Sequence, residues 1–205
     1  MAEDRNLADS IRVAQKEPLH RGYLRVDRYR LSHGKFDGGR TPTLTRELME
    51  RGHAVAVLPY DPAEDRVVLI EQFRIGAYAS GFAPWLVEIV AGIIDPGDSP
   101  PSVARRETRE ETGLEVGRLE AIGHYLTSPG CTSESLRLFC GEVDSTTAAG
   151  IHGLPDEGED IRVFTLPFDE AAILLTTGGL TNFPIVLALQ WLMINRERVR
   201  SLWAS

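Results

Sequence analysis

A chain of 205 residues, 42% hydrophobic and 25% charged, has the make-up of a soluble globular protein with room for one real core and a smaller appended unit. Its formal net charge of −8 argues against a nucleic-acid binder that works through a basic surface, so an anionic ligand would have to be met by local arginines or by metal ions. Two cysteines without CxxC spacing, Cys131 and Cys140, argue against a disulfide scaffold or a zinc site; with no signal-peptide core at the start and no bilayer-length apolar run, no membrane and a cytoplasmic location are expected.

Residues 22–30 and 42–48 alternate like half-buried strands, and residues 33–39 between them read as a turn. They predict a small antiparallel β unit over residues 1–50, too small to be stable alone. From residue 53 the character changes. Residues 53–60 (HAVAVLPY) and 66–72 (RVVLIEQ) are apolar, β-branched strands, and the turn at 61–65 predicts a hairpin. Residues 85–90 (WLVEIV) predict a third strand, and residues 98–112 a helix. Residues 119–127 and 135–143 read as further strands joined by a loop at 128–134. Residues 144–160 are polar, acidic and glycine-bearing and predict a long loop of the sort that is often functional. A strand at 161–166, a short helix at 168–176 and a longer apolar helix at 181–200 follow. Strands surrounded by a few helices predict an α/β sandwich with a mixed β-sheet over residues 51–205.

The segment from Gly92 to Leu114 carries the chemistry. Asp98 or Ser99 can cap a helix there, with proline just inside its start, and Gly113 stands where helices end in a left-handed residue. Glu107, Glu110 and Glu111 are then i, i+3 and i+4 neighbours with their carboxylates on one face. Like charges at that spacing cost roughly 0.2–0.5 kcal/mol per pair in an isolated helix, relieved in part by Arg106 to Glu110. A divalent cation with a taste for hard oxygen ligands explains the cluster. A solvated charged face explains it as well, and three acids alone do not decide.

The whole pattern decides. Gly92, Arg106, Glu107, Glu110, Glu111, Gly113 and Leu114 stand in the register of the Nudix box, which this segment resembles. Asp98 departs from its glutamate, and Thr108 from an apolar position. Further blocks are similar to the bacterial ADP-ribose pyrophosphatase subfamily along nearly the full length. They include Arg46-Glu47, Leu69-Ile70-Glu71-Gln72 with Arg74, Val90-Ala91-Gly92, Ser128-Pro129-Gly130, and the acidic run from Asp156 to Asp160. Pro129 lies fifteen residues beyond Leu114, as the subfamily has it.

The resemblance implies a Nudix α/β/α sandwich and a Mg²⁺-dependent hydrolase, with Mn²⁺ as the other candidate ion. The implied reaction is attack by metal-activated water on the pyrophosphate of ADP-ribose, giving AMP and ribose 5-phosphate. It implies Glu107, Glu111, Glu159 and the Ala91 carbonyl as metal ligands, Glu110 as a further or water-mediated one, and Arg106 as the residue that orients the cluster. Glu157 matches the general base. Arg46, Arg51 and Arg74 match diphosphate ligands, and Tyr23 an aromatic that stacks on adenine. Leu24, Glu47, Ile93, Ser128 and Glu134 match other substrate-binding positions. The subfamily also implies a homodimer that exchanges the N-terminal unit. Two rivals stand beside this expectation. One is a Nudix enzyme acting mainly on ADP-glucose or GDP-mannose. The other is a catalytically dead ADP-ribose sensor, which the intact box carboxylates disfavour.

Overall fold

The computed structural model describes residues 10–204, apart from the Glu157 side chain. Its backbone divides into two compact units. Unit 1 holds the described residues up to His53 together with Leu126–Ser135; unit 2 holds Ala54–Tyr125 and the chain from Leu136 onward.

Unit 1 is an antiparallel sheet of β1 (Arg12–Arg21), β2 (Arg25–Ser32) and β3 (Leu44–Glu50) in that order. The sequence does not announce β1. All but one of its residues are exposed, so no alternation of apolar and polar side chains marks it. Pairing with β2 and ion pairs hold it, among them Lys16–Asp27 at 3.1 Å and Arg28–Glu17 at 3.3 Å. The segment 126–135 joins this unit through backbone bonds from Met49 N–H to Cys131 O (2.8 Å) and from Ser133 N–H to Met49 O (3.3 Å).

Unit 2 is built on β4 (His53–Asp61), β5 (Arg66–Phe73), β6 (Trp85–Glu88), β7 (Val90–Ile94), β8 (Leu119–Leu126), β9 (Ser135–Glu142), β10 (Gly150–His152) and β11 (Ile161–Pro167). The strand order is β10-β11-β5-β4-β9-β8. β4 and β9 run parallel and β5 runs antiparallel to β4 and β11, so the sheet is mixed. The sheet forks at β5: Arg66 and Val67 pair with β4, while Ile70 to Phe73 pair with β6. β7 pairs with β4. The run 85–90 expected as one strand is therefore two, broken between Glu88 and Val90, because each half is claimed by a different neighbour. The loop expected over 144–160 contains β10 and two 3₁₀ turns, Ser145–Thr147 and Pro155–Glu157.

The helices are α1 (Ile75–Ala79), α2 (Pro100–Thr112), α3 (Phe168–Thr177) and α4 (Phe183–Trp203). Side chains alternate across a strand, so β4 and β5 serve two cores. Ala54, Ala56, Leu58, Tyr60, Val67 and Leu69 pack with Phe168, Ala171, Ile185, Leu189, Leu192 and Trp203 of α3 and α4. Val55, Val57, Val68 and Ile70 pack on the other face with Val103 and Ala104 of α2. This is the expected α/β/α layering. Burial on both faces explains why these strands read as unbroken apolar runs.

The β4–β5 hairpin is tied to α4 by Asp65, whose φ of 55° puts a non-glycine residue in the left-handed region. Its carboxylate accepts from Tyr60 Oη (2.6 Å) and Arg196 Nε (2.9 Å), and its carbonyl accepts from the Phe168 N–H (2.9 Å). Burial works against this carboxylate, but Arg196 and Tyr60 outweigh it and hold its pKa below the usual range.

Candidate active site

Helix α2 begins at Ser99, whose Oγ accepts from the Ser102 N–H at 3.3 Å, with prolines in its first turn. It ends at Gly113, with φ at 73°. Of the two cap candidates Ser99 therefore takes the role, and Asp98 is an exposed turn residue before it. The helix buries Val103, Ala104, Thr108, Glu111 and Thr112. Thr108 fits the apolar position because its hydroxyl donates to the Ala104 carbonyl at 2.8 Å and presents no unsatisfied group.

The glutamates do not share one environment. Glu111 is 3% exposed, and its Oε2 accepts from the Ala91 N–H of β7 at 3.2 Å. The Glu107 side chain is 13% exposed and pairs with Arg106 at 2.8 Å. Glu110 is more open and takes the other Arg106 nitrogen, also at 2.8 Å. A solvated charged face does not describe Glu107 and Glu111. Burial pushes the Glu107 pKa up to about 7; Arg106 opposes this, while Glu110 and Glu159 add to it. Burial likewise raises Glu111 well above the usual carboxylate range. The Ala91 N–H opposes, and Glu107 and Glu159 add repulsion.

Gly92 completes the cradle. A Cβ at this position would lie 2.0 Å from the Glu107 carboxylate carbon and 2.0 Å from its Oε1. The need for glycine here is one of space, since Gly92 is not among the residues of positive φ. Desolvated carboxylate oxygens that repel one another beside bare backbone suit a hard divalent cation. Glu159 acts on both glutamates electrostatically, but its Oε2 is turned to the Leu154 N–H at 3.0 Å. As the side chains stand, no three of His, Cys, Asp or Glu converge to hold an ion among the described residues. Arg106 and backbone N–H groups engage the acids instead. Glu157 ends the 3₁₀ turn Pro155–Glu157, and its side chain lies outside the described residues.

Arg74 precedes α1 and forks onto Glu88 at the end of β6, with Nε at 2.9 Å and Nη2 at 2.8 Å from Oε2. Ile93, half-buried, lies on β7 next to Gly92. Sequence reasoning missed Glu88. The available signal was a lone acid inside the apolar run WLVEIV.

The remaining expected binding residues lie in unit 1. Tyr23 is 87% exposed in the turn between β1 and β2, beside Leu24. Arg46 donates to the Thr45 carbonyl at 2.9 Å, and Glu47 accepts from Arg28 at 3.0 Å. Arg51 pairs with Glu134 at 3.2 Å, and Glu134 also accepts from Thr127 Oγ1 at 2.9 Å. Ser128 is exposed beside Cys131, their Oγ and Sγ 3.6 Å apart.

The NUDIX domain family matches residues 50–189. The chain is 46% identical over 196 residues to the ADP-ribose pyrophosphatase of Escherichia coli (strain K12), covering 96% of this chain and 94% of that one. It is 40% identical over 196 residues to the ADP-ribose pyrophosphatase of Haemophilus influenzae, covering 94% and 90%. A GDP-mannose pyrophosphatase of Escherichia coli O1:K1 / APEC is 35% identical over 151 residues, covering 73% and 78%. A solved structure described as an ADP compounds hydrolase shares the fold, with a TM-score of 0.71 at 21% identity over 93% of this chain and 97% of that one. The chain belongs to the Nudix family, and it is a Nudix hydrolase.

Proposed function

We propose that this enzyme hydrolyses the pyrophosphate bond of ADP-ribose to AMP and ribose 5-phosphate, with Mg²⁺ as cofactor. The observation that carries the reading is the desolvated carboxylate pair: Glu107, 13% exposed and packed against Gly92 where no side chain fits, and buried Glu111 on the neighbouring Ala91 N–H. The substrate is supported by the relatives named ADP-ribose pyrophosphatase, which match almost the whole chain.

Glu107 and Glu111 would hold the ion, with the Ala91 carbonyl, Glu110 and Glu159 as further oxygen donors. When bound, Mg²⁺ supplies Lewis-acid chemistry: a lowered pKa for water and charge neutralisation on phosphoryl oxygens. Arg106 holds Glu107 and Glu110 in place through its two nitrogens. Glu157 takes the proton of the attacking water. Arg46, Arg51 and Arg74 bind the diphosphate through guanidinium forks, and Tyr23 stacks on adenine. Leu24, Glu47, Ile93, Ser128 and Glu134 contact the rest of the nucleotide sugar. The protein works in the cytoplasm as a homodimer; exposed Ile11 and Val13 by β1 are apolar surface that a second copy would cover.

Hydrolysis in ¹⁸O-labelled water with ADP-ribose, ADP-glucose and GDP-mannose tests the reading. We expect kcat/KM for ADP-ribose to exceed the others by at least about tenfold, and label in one phosphate product. Preference for GDP-mannose, which the 35% identical relative keeps in view, would overturn the substrate. Sedimentation giving only a monomer would overturn the dimer.

A further inference from the structure

Glu88 is 4% exposed, a charged side chain in an otherwise apolar strand. Its Oε2 accepts from Arg74 Nε and Nη2 and from Gln72 Nε2 at 3.2 Å; its Oε1 accepts from Asn182 Nδ2. Asn182 is the N-cap residue of α4, yet its side chain makes no capping bond. A group suited to capping the helix is turned to the carboxylate instead. Three separate parts of the chain thus converge on Glu88 of β6: β5, the residue before α1 and the start of α4.

The bonding pattern fixes one edge of the Arg74 guanidinium. Nε and one Nη2 hydrogen are engaged inside, where Glu88 has 6% of its side chain exposed, while Arg74 keeps 42% of its own. The adjoining end edge, Nη1 with the second Nη2 hydrogen, has the fork geometry that two oxygens of a phosphate match. The Arg74 charge is also felt at Glu111, so it lies within electrostatic reach of the carboxylate pair. A buried ion pair is a weak source of stability compared with apolar residues of similar volume, so stability alone gives little reason for an acid in this strand.

We propose that Glu88 is a positioning residue for Arg74, holding its guanidinium with the outer edge presented to the diphosphate. The inference rests on the reading of Arg74 as a diphosphate ligand. A double-mutant cycle on ADP-ribose hydrolysis tests it, with parent, Arg74→Ala, Glu88→Gln and the double variant compared by kcat, KM and melting temperature. Removing uniform substrate binding raises KM and spares kcat, so Glu88→Gln should raise KM roughly tenfold and leave kcat within about twofold. The double variant should be no worse than Arg74→Ala within about twofold, since Glu88 acts through Arg74. A parental KM in folded Glu88→Gln overturns the proposal, as does a double variant whose loss is the product of the single losses. Should Glu88→Gln fail to fold, Glu88→Asp keeps the charge and shortens the arm, and the same KM rise is required of it. A parent that leaves ADP-ribose intact at every Mg²⁺ level overturns the substrate reading separately; the cycle then runs on the nucleotide sugar the parent does cleave.

Discussion

The carboxylate of Glu107 stands in the space where a side chain on residue 92 would begin. Strand β7 and helix α2 approach one another so closely at this point that one side chain excludes the other. Gly92→Ala must therefore push the Glu107 carboxylate aside. We expect the Mg²⁺ concentration for half-maximal activity to rise by roughly 10- to 100-fold, the range seen when support of a metal ligand is lost. Melting of the metal-free protein should change little. An unaltered Mg²⁺ titration would show that Glu107 has no need of its present place.

Glu111→Gln separates metal binding from folding. Glutamine keeps the volume and an oxygen for the Ala91 N–H, and it removes a desolvated negative charge. Mg²⁺ activation should weaken at least about tenfold, while the metal-free protein should melt no lower than the parent, because an unpaired buried charge costs stability. A lower metal-free melting temperature would mean that the carboxylate stabilises the fold without an ion.

Glu157→Gln should retain the fold and the Mg²⁺ affinity and lose about 10²- to 10⁴-fold in kcat, as removal of a general base does. Circular dichroism and isothermal titration with Mg²⁺ supply the controls. Parental kcat would move the base to another acid of the segment 144–160.

Asp65 should contribute to the acid limb of stability. Its folded pKa is depressed, so its contribution is fully present above the unfolded value of about 3.9 and is lost as pH falls through the lower folded value. Asp65→Asn tolerates the left-handed backbone and deletes only the charge. It should cost about 1–3 kcal/mol at pH 7 in urea unfolding, and the difference from the parent should shrink below pH 3. A gap that is constant with pH would remove the ion pair with Arg196 as its cause.

Much of this was legible in the sequence, for identifiable reasons. The strands β4 and β5 announce themselves because burial on both faces demands unbroken apolar runs, and α2 because Ser99, its prolines and Gly113 mark both ends. Strand β1 was invisible because its residues face water and are held by pairing and charge. The break after Glu88 was invisible because it depends on which strand claims each half of a short run. The three glutamates were found as a group, but their unequal burial comes from how α2 lies on β7, which helical spacing does not encode. Glu88 was missed because its partners Gln72, Arg74 and Asn182 are spread over the chain.

The two-faced character of β4 and β5 has a consequence for synthesis. Until α3 and α4 emerge, the side of β4 and β5 formed by Ala54, Ala56, Leu58, Tyr60, Val67 and Leu69 is greasy, uncharged and uncovered, the kind of surface through which unfinished chains associate. The last helix is in this sense an internal chaperone for the first strands of the sheet. A chain cut before Phe183 should collect in inclusion bodies on expression, whereas the same piece supplied with a separate α4 peptide during refolding should yield more dispersed, monodisperse material.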